Sequence, residues 1–387
     1  MIVLTAATLF TPLERIEQPL LLVDDGTIVE VSSRAFGGAP KGGRVVDFGD
    51  GILAPGFIDI HIHGGAGHDV MESNPDALPA VERLLACHGV SSYFPTTVTA
   101  PVDTTLAALQ RLADAIEAAD KGEFSSELRA RPLGIHLEGP FISHARRGVH
   151  PAKNLLPPTL NMFERFWQAA RGHIRVMTIA PELEGAQEVI AEAARRGVCV
   201  SLGHSDADLN TARAAVAAGA RHATHTFNAM RPLNHRDPGI LGEVLTDSRI
   251  SADIIADGVH LDPAVVRLFL KAKGPDAAVL ITDATAATGM PDGRYRLGSF
   301  DMELKDGKCL AGGKLAGSVL TMDRAVRNVM QFARWEMQQA VCLATLNPAR
   351  VAGLAGRGEL KTGAQADLVV LSPNGEVRNT ILRGVGI

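Results

Sequence analysis

Two histidines, His61 and His63, lie two residues apart at the end of an apolar run. The run GFIDIHIH at 56–63, followed by a Gly-Gly pair, predicts a short buried strand that ends in a glycine turn. Side chains two residues apart lie on the same face of a strand, so both imidazoles can bind one metal ion. A single buried histidine is more often a hydrogen-bonded core residue. The metal hypothesis therefore depends on further ligands elsewhere in the chain.

Four further side chains with metal-binding chemistry follow other apolar runs: Glu138, His204, His225 and Asp283. A site of Glu138, His204 and His225 would have three protein ligands and an open position. A second ion would be bound by His61, His63 and Asp283 together with a shared Glu138. A divalent ion in such a site lowers the pKa of a bound water to about 7 and polarises a carbonyl group.

Asp283 ends the apolar run LIT at 280–282. A buried carboxylate is costly unless it is paired or bound to a metal, although the residue would also suit the N-cap of the following segment. In the functional interpretation, Asp283 takes a proton from the water on the metal and later returns it to a leaving nitrogen. His136 is expected to lie outside the site, as a supporting or packing residue. His222 is also expected to lie outside it, because a residue three positions before His225 in a strand points to the opposite face.

Eight apolar runs are predicted to be the strands that position these residues, and most of them are separated by an amphipathic helix. They lie at 57–61, 91–96, 133–138, 175–180, 198–203, 222–226, 250–255 and 278–283. Helices are predicted over 75–88 and 101–121, ending at Gly89 and Gly122. Eight β-α repeats favour an α/β fold, a closed (β/α)8 TIM-like barrel, in which chemistry lies at the C-terminal ends of the strands.

The two ends of the chain have a different, β-rich character. A hairpin is predicted from residues 20 to 31, around Asp24, Asp25 and Gly26, and a further strand over 366–371. We predict that residues 1–54 and 356–387 form one small discontinuous β-sandwich domain, and that residues 55–355 form the barrel domain. The glycine-rich segment 288–317 is predicted to be a hairpin-bearing excursion that can act as a lid.

Composition excludes several classes of protein. The net charge of −5, without any run of Lys or Arg, argues against a nucleic-acid surface. The four cysteines, Cys87, Cys199, Cys309 and Cys342, are scattered and indicate neither a disulfide framework nor a thiolate metal site. No apolar run of eighteen residues and no basic leader occur, so we expect a cytoplasmic protein that neither spans nor binds a membrane and whose partners are small molecules.

Five motifs together resemble a known family. They are HLEGPF at 136–141, GHS at 203–205, THTFNAM at 224–230, ADGVH at 256–260 and TDA at 282–284. With the strand at 56–63, their order and spacing resemble the N-acetylglucosamine-6-phosphate deacetylases of the amidohydrolase superfamily over nearly the whole chain. The resemblance implies a barrel with a small terminal β domain.

The resemblance also implies residue roles. Glu138, His204 and His225 would bind the main metal and Asp283 would be the catalytic acid and base, in agreement with the interpretation from the residues alone. His150 would approach the acetamido group and stabilise the oxyanion. The residues implied to lie near the sugar phosphate are Asn228, Ala229, Arg236 and His260, with Arg236 reaching across the interface of a homodimer. Since both histidines of the first strand are present, one or two ions can bind; zinc is favoured, and iron, manganese or cobalt would also suit the ligands.

The implied reaction is hydrolysis of the acetamide of N-acetyl-D-glucosamine 6-phosphate to acetate and D-glucosamine 6-phosphate, in amino-sugar catabolism and cell-wall sugar recycling. Three alternatives stay open. The first is the corresponding N-acetylgalactosamine 6-phosphate. The second is a cyclic amidase of the dihydroorotase or hydantoinase type, although no Lys occupies a strand end where such enzymes carry a carboxylated Lys. The third is a metal-free barrel that serves as an interaction scaffold.

Overall fold

The computed structural model of the chain describes residues 1–35, 43–122 and 127–386. Within these ranges the strands and helices alternate in an α/β arrangement. No helix in the described part of the chain is both long and apolar enough to cross a membrane. All four cysteines are free.

Seven short strands form the N-terminal part. They are β1 (Ile2–Thr5), β2 (Thr8–Phe10), β3 (Arg15–Glu17), β4 (Pro19–Asp24), β5 (Thr27–Ser33), β6 (Arg44–Asp47) and β7 (Ile52–Pro55). β4 and β5 pair antiparallel, so the predicted hairpin is present. Its turn residues Asp25 and Gly26 both have positive φ, the conformation that a tight two-residue hairpin turn requires.

Strands and helices then alternate through the middle of the chain. The strands are β8 (Phe57–Ile62), β9 (Gly64–Gly65), β10 (His68–Asp69), β11 (Val90–Pro95), β12 (Arg131–Pro132), β13 (Ile135–Glu138), β14 (Ile174–Ile179), β15 (Cys199–Leu202), β16 (His222–Ala223), β17 (Ala252–Ile255) and β18 (Ala278–Ile281). The helices are α1 (Ala77–Cys87), α2 (Val102–Asp120), α3 (Leu160–Ala169), α4 (Ala186–Arg195), α5 (Leu209–Ala218), α6 (Gly239–Thr246) and α7 (Pro263–Ala277), with a short 3-10 helix at Ala152–Asn154. All eight predicted strands are thus present, and a helix separates each from the next.

Helix ends follow local sequence signals. The Asp208 carboxylate accepts a hydrogen bond from the Thr211 amide at the start of α5. Asp262 caps α7 in the same way, with Pro263 at the first helical position. Gly89, after α1, has a φ of +81°, and a Cβ there would lie 2.9 Å from the Phe57 ring. Glycine therefore both stops this helix and lets β8 pack closely against its end.

The eight core strands pair in parallel within three sheets, of orders β12-β11-β8, β13-β14-β15-β16 and β17-β18. Backbone contacts also link neighbouring sheets at the strand ends. Thr96 forms a parallel bridge with His136, and Ile62 forms one with Ala284. The Thr226 amide donates to the Asp253 carbonyl at 2.9 Å. These links join the second core strand to the third, the first to the eighth and the sixth to the seventh, and the carboxyl ends of the core strands lie at one edge of the structure.

The sixth core strand, β16, is shorter than predicted. It ends at Ala223 instead of residue 226. His225 and Phe227 have positive φ values of 30° and 78°, and a residue in that conformation leaves the extended strand. The motif at 224–230 is therefore an irregular loop that follows the strand.

The C-terminal part contains β19 (Gly293–Leu297), β20 (Phe300–Lys305), β21 (Lys308–Ala311), β22 (Lys314–Leu315), α8 (Met322–Ala333), α9 (Met337–Cys342), α10 (Leu346–Val351), β23 (Asp367–Leu371) and β24 (Val377–Leu382). β19 to β22 form an antiparallel sheet within the predicted excursion at 288–317. β23 pairs with β7, which pairs with β2, so one five-stranded sheet of order β24-β23-β7-β2-β3 contains both ends of the chain. Leu9, Leu53 and Leu368 are fully buried in a core that these terminal segments share.

Candidate metal centre

The six predicted metal ligands come from the ends of five core strands. His61 lies within β8 and His63 directly follows it, while Glu138 is the last residue of β13. His204, His225 and Asp283 are each the second residue after their strand. The structure brings all six together, and each is at least 90% buried.

Glu138 lies at the centre of the group. Its Oε1 atom is 3.1 Å from the His225 Nε2, 3.3 Å from the His204 Nε2 and 3.5 Å from the His61 Nε2. Its Oε2 atom is 3.3 Å from the His63 Nε2. Two sets of potential ligand atoms, from His61, His63 and Glu138 and from Glu138, His204 and His225, each lie within 4.8 Å of one another. Glu138 is common to both sets, as the sequence predicts for a shared carboxylate.

Asp283 lies next to His61 and His63, the two histidines at the end of the first core strand. Its Oδ1 is 3.2 Å from the His63 Nε2 and 3.5 Å from the His61 Nε2. Burial raises the pKa of its carboxyl, but the hydrogen bond from His63 and the nearby imidazoles outweigh burial and lower the pKa to about 2. Asp283 is therefore ionised at neutral pH and can accept a proton.

Hydrogen bonds orient two of the imidazoles. The Nδ1 of His63 is 3.0 Å from the Thr96 carbonyl oxygen, and the Nδ1 of His204 is 2.9 Å from the Arg146 carbonyl oxygen. Since a carbonyl only accepts, we infer that each Nδ1 donates a proton to it. Each Nε2 is thereby directed at the carboxylates of the group, where a metal ion can take the place of a proton. Histidine ligands of metals are typically held in this way.

The charges of the group suit a divalent cation. The His204 and His225 Nε2 atoms are 3.1 Å apart, and those of His61 and His63 are 3.3 Å apart. Burial lowers the pKa of His225, but the hydrogen bond to Glu138 and the charges of nearby carboxylates raise it to about 9. The buried carboxylates thus create a negative electrostatic potential where the Nε2 atoms converge, and this potential favours a bound cation. Imidazole nitrogens and carboxylate oxygens are also the donors that zinc and related metals prefer, so these residues fit a metal ion.

A cavity of about 210 Å³ opens beside the group. Its walls include His63, Glu138, His204, His225 and Asp283, but not His61, which is fully buried. Four of the residues implied to contact substrate also line it: His150, Asn228, Ala229 and His260. Arg236 does not line it, because this residue lies in an exposed part of the loop before α6.

Three of the cavity residues present polar groups that could contact a ligand. The His150 Nε2 is 3.6 Å from the Glu138 Oε2, and burial lowers the pKa of His150 to about 4, so its ring is neutral at pH 7. The Asn228 Nδ2 is buried without a hydrogen-bond partner among the described residues, so it can donate to a ligand. The Nδ1 of His260 is 2.7 Å from the Asp257 carboxylate, which orients the ring.

Several residues around the site were not predicted from the sequence. Apolar side chains of Val98, Leu297 and Leu315 line the cavity, two of them from the antiparallel sheet in segment 288–317. The Asp59 carboxylate accepts hydrogen bonds from the His61 amide at 3.3 Å and from the Thr282 hydroxyl at 2.5 Å. Asp253 accepts a hydrogen bond from the His225 amide. Asp59 and Asp253 alternate with apolar residues in buried strands. This pattern could have identified them as residues that hold the backbone of the ligand candidates in place.

His136 and His222 lie outside the group of ligand candidates, as predicted. The Nδ1 of His136 is 3.0 Å from the Ile60 carbonyl, and its Nε2 is 2.7 Å from the Thr178 hydroxyl. His222 contacts the Asp253 carboxylate at 2.9 Å. Both rings use their nitrogens within the protein core.

Comparison with known proteins gives consistent matches over most of the chain. The profile of the amidohydrolase family matches residues 52–386. A Bos taurus N-acetylglucosamine-6-phosphate deacetylase is 41% identical over 352 residues, which cover 87% of this chain and 84% of that protein. An Escherichia coli O157:H7 N-acetylgalactosamine-6-phosphate deacetylase is 37% identical over 384 residues, which cover 99% of this chain and 98% of that protein.

A solved structure shows the same likeness in three dimensions. It is the N-acetyl-D-glucosamine-6-phosphate deacetylase of Mycobacterium smegmatis, a variant in complex with N-acetyl-D-glucosamine-6-phosphate. The two structures superpose with a TM-score of 0.92 at 35% identity, over 100% of this chain and 98% of the other.

Proposed function

Because the chain belongs to the amidohydrolase family, we propose that it hydrolyses the acetamide of N-acetyl-D-glucosamine 6-phosphate to D-glucosamine 6-phosphate and acetate. The observation that carries the proposal is the convergence of Glu138 with four imidazoles and Asp283 beside one cavity. The names of the relatives supply the substrate class, an acetylated amino-sugar phosphate. The reaction belongs to amino-sugar catabolism and sugar recycling.

The site would hold one or two divalent cations. Glu138, His204 and His225 would bind the first, and His61, His63 and Asp283 with the shared Glu138 would bind the second. Zinc suits this donor set, as do iron, manganese and cobalt. When bound, the metal supplies Lewis acidity and makes a coordinated water easier to deprotonate.

Asp283 and His150 would perform the proton transfer and the charge stabilisation. The ionised carboxylate of Asp283 takes a proton as water attacks the acetamide carbonyl, and then delivers a proton to the leaving nitrogen. His150, neutral and at the cavity wall, donates a hydrogen bond from Nε2 to the oxygen that becomes negative. The two residues therefore act on opposite ends of the scissile amide.

Asn228, Ala229 and His260 would bind the sugar phosphate from within the same chain. Arg236 is exposed and lies outside the cavity of its own chain. In a dimer, the Arg236 guanidinium of one subunit would bind the phosphate in the cavity of the other. We therefore propose a homodimer in which each Arg236 completes the cavity of the partner. We expect the enzyme to act on this phosphorylated sugar in the cytoplasm.

The architecture that supports this chemistry would be a closed (β/α)8 barrel of residues 55–355, with a small β domain of residues 1–54 and 356–387. The bridge between Ile62 and Ala284, at the ends of the first and eighth core strands, supports closure. The five-stranded sheet that contains β2, β7 and β23 supports a domain built from both termini. Segment 288–317 contributes Leu297 and Leu315 to the cavity wall and would act as its lid.

N-acetylgalactosamine 6-phosphate is a second candidate substrate, because a relative that covers almost the whole chain is named for it. A cyclic amidase is disfavoured, since none of the eight described core strands contains a Lys that could be carboxylated.

Acetate release from purified protein tests these proposals. The substrates are both N-acetylated amino-sugar 6-phosphates and their unphosphorylated forms, and metal content is measured in the same sample. Ring opening of dihydroorotate and hydantoin, which cannot release acetate, is measured separately. We expect turnover of the phosphosugars and at least one metal ion per chain. Protein without metal, and without activity after metal addition, would favour a scaffold instead.

A further inference from the structure

The segment Thr96–Thr99, which we call the threonine segment, contributes no ligand candidate but contacts three residues of the site. It directly follows β11. The Thr96 carbonyl accepts a hydrogen bond from the His63 Nδ1 at 3.0 Å, and the Thr97 hydroxyl accepts one from the Glu138 amide at 3.3 Å. Thr99 contacts His150. The segment thus joins residues from the ends of two strands, β8 and β13, and from the loop after β13.

Thr99 approaches a single nitrogen of His150 with two groups. Its backbone nitrogen is 3.3 Å from the His150 Nδ1, and its hydroxyl oxygen is 2.7 Å from the same atom. A backbone N–H can only donate, so the Nδ1 must present its lone pair. The neutral ring then carries its proton on Nε2, the nitrogen that faces the Glu138 Oε2 at 3.6 Å. The hydroxyl of Thr99 can also turn its hydrogen toward the Nδ1 and reinforce this tautomer.

The surroundings leave the pair little freedom. Thr99 is 1% exposed and His150 is 5% exposed. Gly139 has a φ of +71°, and a Cβ there would lie 2.2 Å from the Thr99 hydroxyl oxygen, so glycine provides the room in which the hydroxyl sits. The His204 ring packs edge-on against His150 with centroids 4.7 Å apart. The ring is therefore fixed by Thr99 on one side and by His204 on another.

We propose that Thr99 is a positioning residue, which holds His150 as the tautomer with its proton on Nε2, so that His150 can donate to the developing oxyanion. This inference rests on the proposed deacetylation for its kinetic consequence, but not for its structural claim. In the other tautomer, Nε2 would present a lone pair to the negative oxygen and would repel it. The hydroxyl of Thr99 therefore acts on the transition state through His150.

The kinetic test compares Thr99→Val, which keeps the backbone N–H and removes the hydroxyl, with Thr99→Ser, which keeps the hydroxyl. We expect Thr99→Val to lower kcat roughly three- to tenfold, as for loss of one hydrogen bond, with KM changed less than twofold. Thr99→Ser should recover most of the activity. The control is Thr380→Val, since the Thr380 hydroxyl is also buried and donates to the Ala86 carbonyl at 2.6 Å in the terminal sheet. It should show wild-type kcat at a similar loss of thermal stability.

An unchanged kcat in Thr99→Val, or a Thr99→Ser variant as slow as Thr99→Val, would overturn the inference. A second readout does not depend on activity. Nitrogen NMR of histidine-labelled protein, with the His150 signals assigned by their loss in His150→Gln, reports which ring nitrogen is protonated. We expect the proton on Nε2 in the wild type and a mixture of tautomers in Thr99→Val. A wild-type ring protonated on Nδ1 would refute the role of Thr99, whereas a wild-type protein that releases no acetate would refute the proposed function alone.

Discussion

Replacement of Asp283 by Asn tests the chemistry of the site most directly. The amide has the shape of the carboxylate and keeps an oxygen near the His63 and His61 Nε2 atoms, which lie 3.2 and 3.5 Å from Oδ1. It cannot take up or return a proton at any accessible pH. The wild-type carboxyl, whose pKa is lowered to about 2, is fully ionised under assay conditions. The substitution therefore removes an active base from every enzyme molecule.

The expected loss follows from the two proton transfers assigned to Asp283. A positioned acid or base contributes about 10²- to 10⁴-fold to a step. Because both water attack and amine departure would lose it, we expect Asp283→Asn to lower kcat at least about a thousandfold. Glu138, His204 and His225 do not depend on Asp283, so the first metal ion should remain bound.

Acetate release and metal content should be measured on the same preparation, with Asp247→Asn as the control. Asp247 is a largely buried aspartate that pairs with Arg249 instead of a site residue. We expect that control to retain wild-type kcat. An Asp283→Asn protein with more than about a tenth of wild-type kcat and its metal intact would contradict the acid-base role, since a single assisted proton transfer already exceeds that factor.

Three further changes probe the ligand set, the subunit interface and the support of the first strand. Glu138→Gln should lower the metal content by at least one ion per chain and abolish activity, because Glu138 faces all four imidazoles; full metal content would argue against ligation. Arg236→Ala should raise KM for the phosphosugars about tenfold or more with kcat within twofold, as for a lost charge-assisted hydrogen bond, and should not affect unphosphorylated substrates. Burial raises the pKa of Asp59 to about 6, and hydrogen bonds from Thr282 and His61 oppose it only partly, so the folded state holds the proton more tightly than the unfolded chain. The stability that this proton contributes, about 3 kcal/mol, is fully present below pH 3.8 and lost as pH rises through about 6. Urea unfolding from pH 4 to 7 should therefore show a steeper decline for wild type than for Asp59→Asn, and parallel curves would refute the assignment.

The strands and helices were largely predictable, because buried parallel strands are continuous apolar runs and the helices between them carry capping signals. The sixth strand was predicted too long, since its loop also begins with residues that suit a strand. The threonine segment was missed for a related reason: Thr96, Thr97 and Thr99 are common strand residues, and nothing in their spacing indicates which nitrogen or amide they contact. Arg236 shows a different limit, because the contact that we propose with a second subunit cannot be derived from the fold of one chain.

The backbone around the ligand candidates supports a functional origin for their geometry. His204, His225 and Asp283 have φ values of 47°, 30° and 50°, in the left-handed region that non-glycine residues rarely adopt. Each costs about 1 kcal/mol or more relative to an extended residue. Specific hydrogen bonds hold two of these turns, from the Asp283 amide to the His61 carbonyl at 2.9 Å and from the His225 amide to the Asp253 carboxylate. At these three strand ends, His204 and His225 contact Glu138, and Asp283 contacts His61 and His63. The proposed metal centre explains such conformations better than stability does, because extended residues or glycine would serve stability at lower cost.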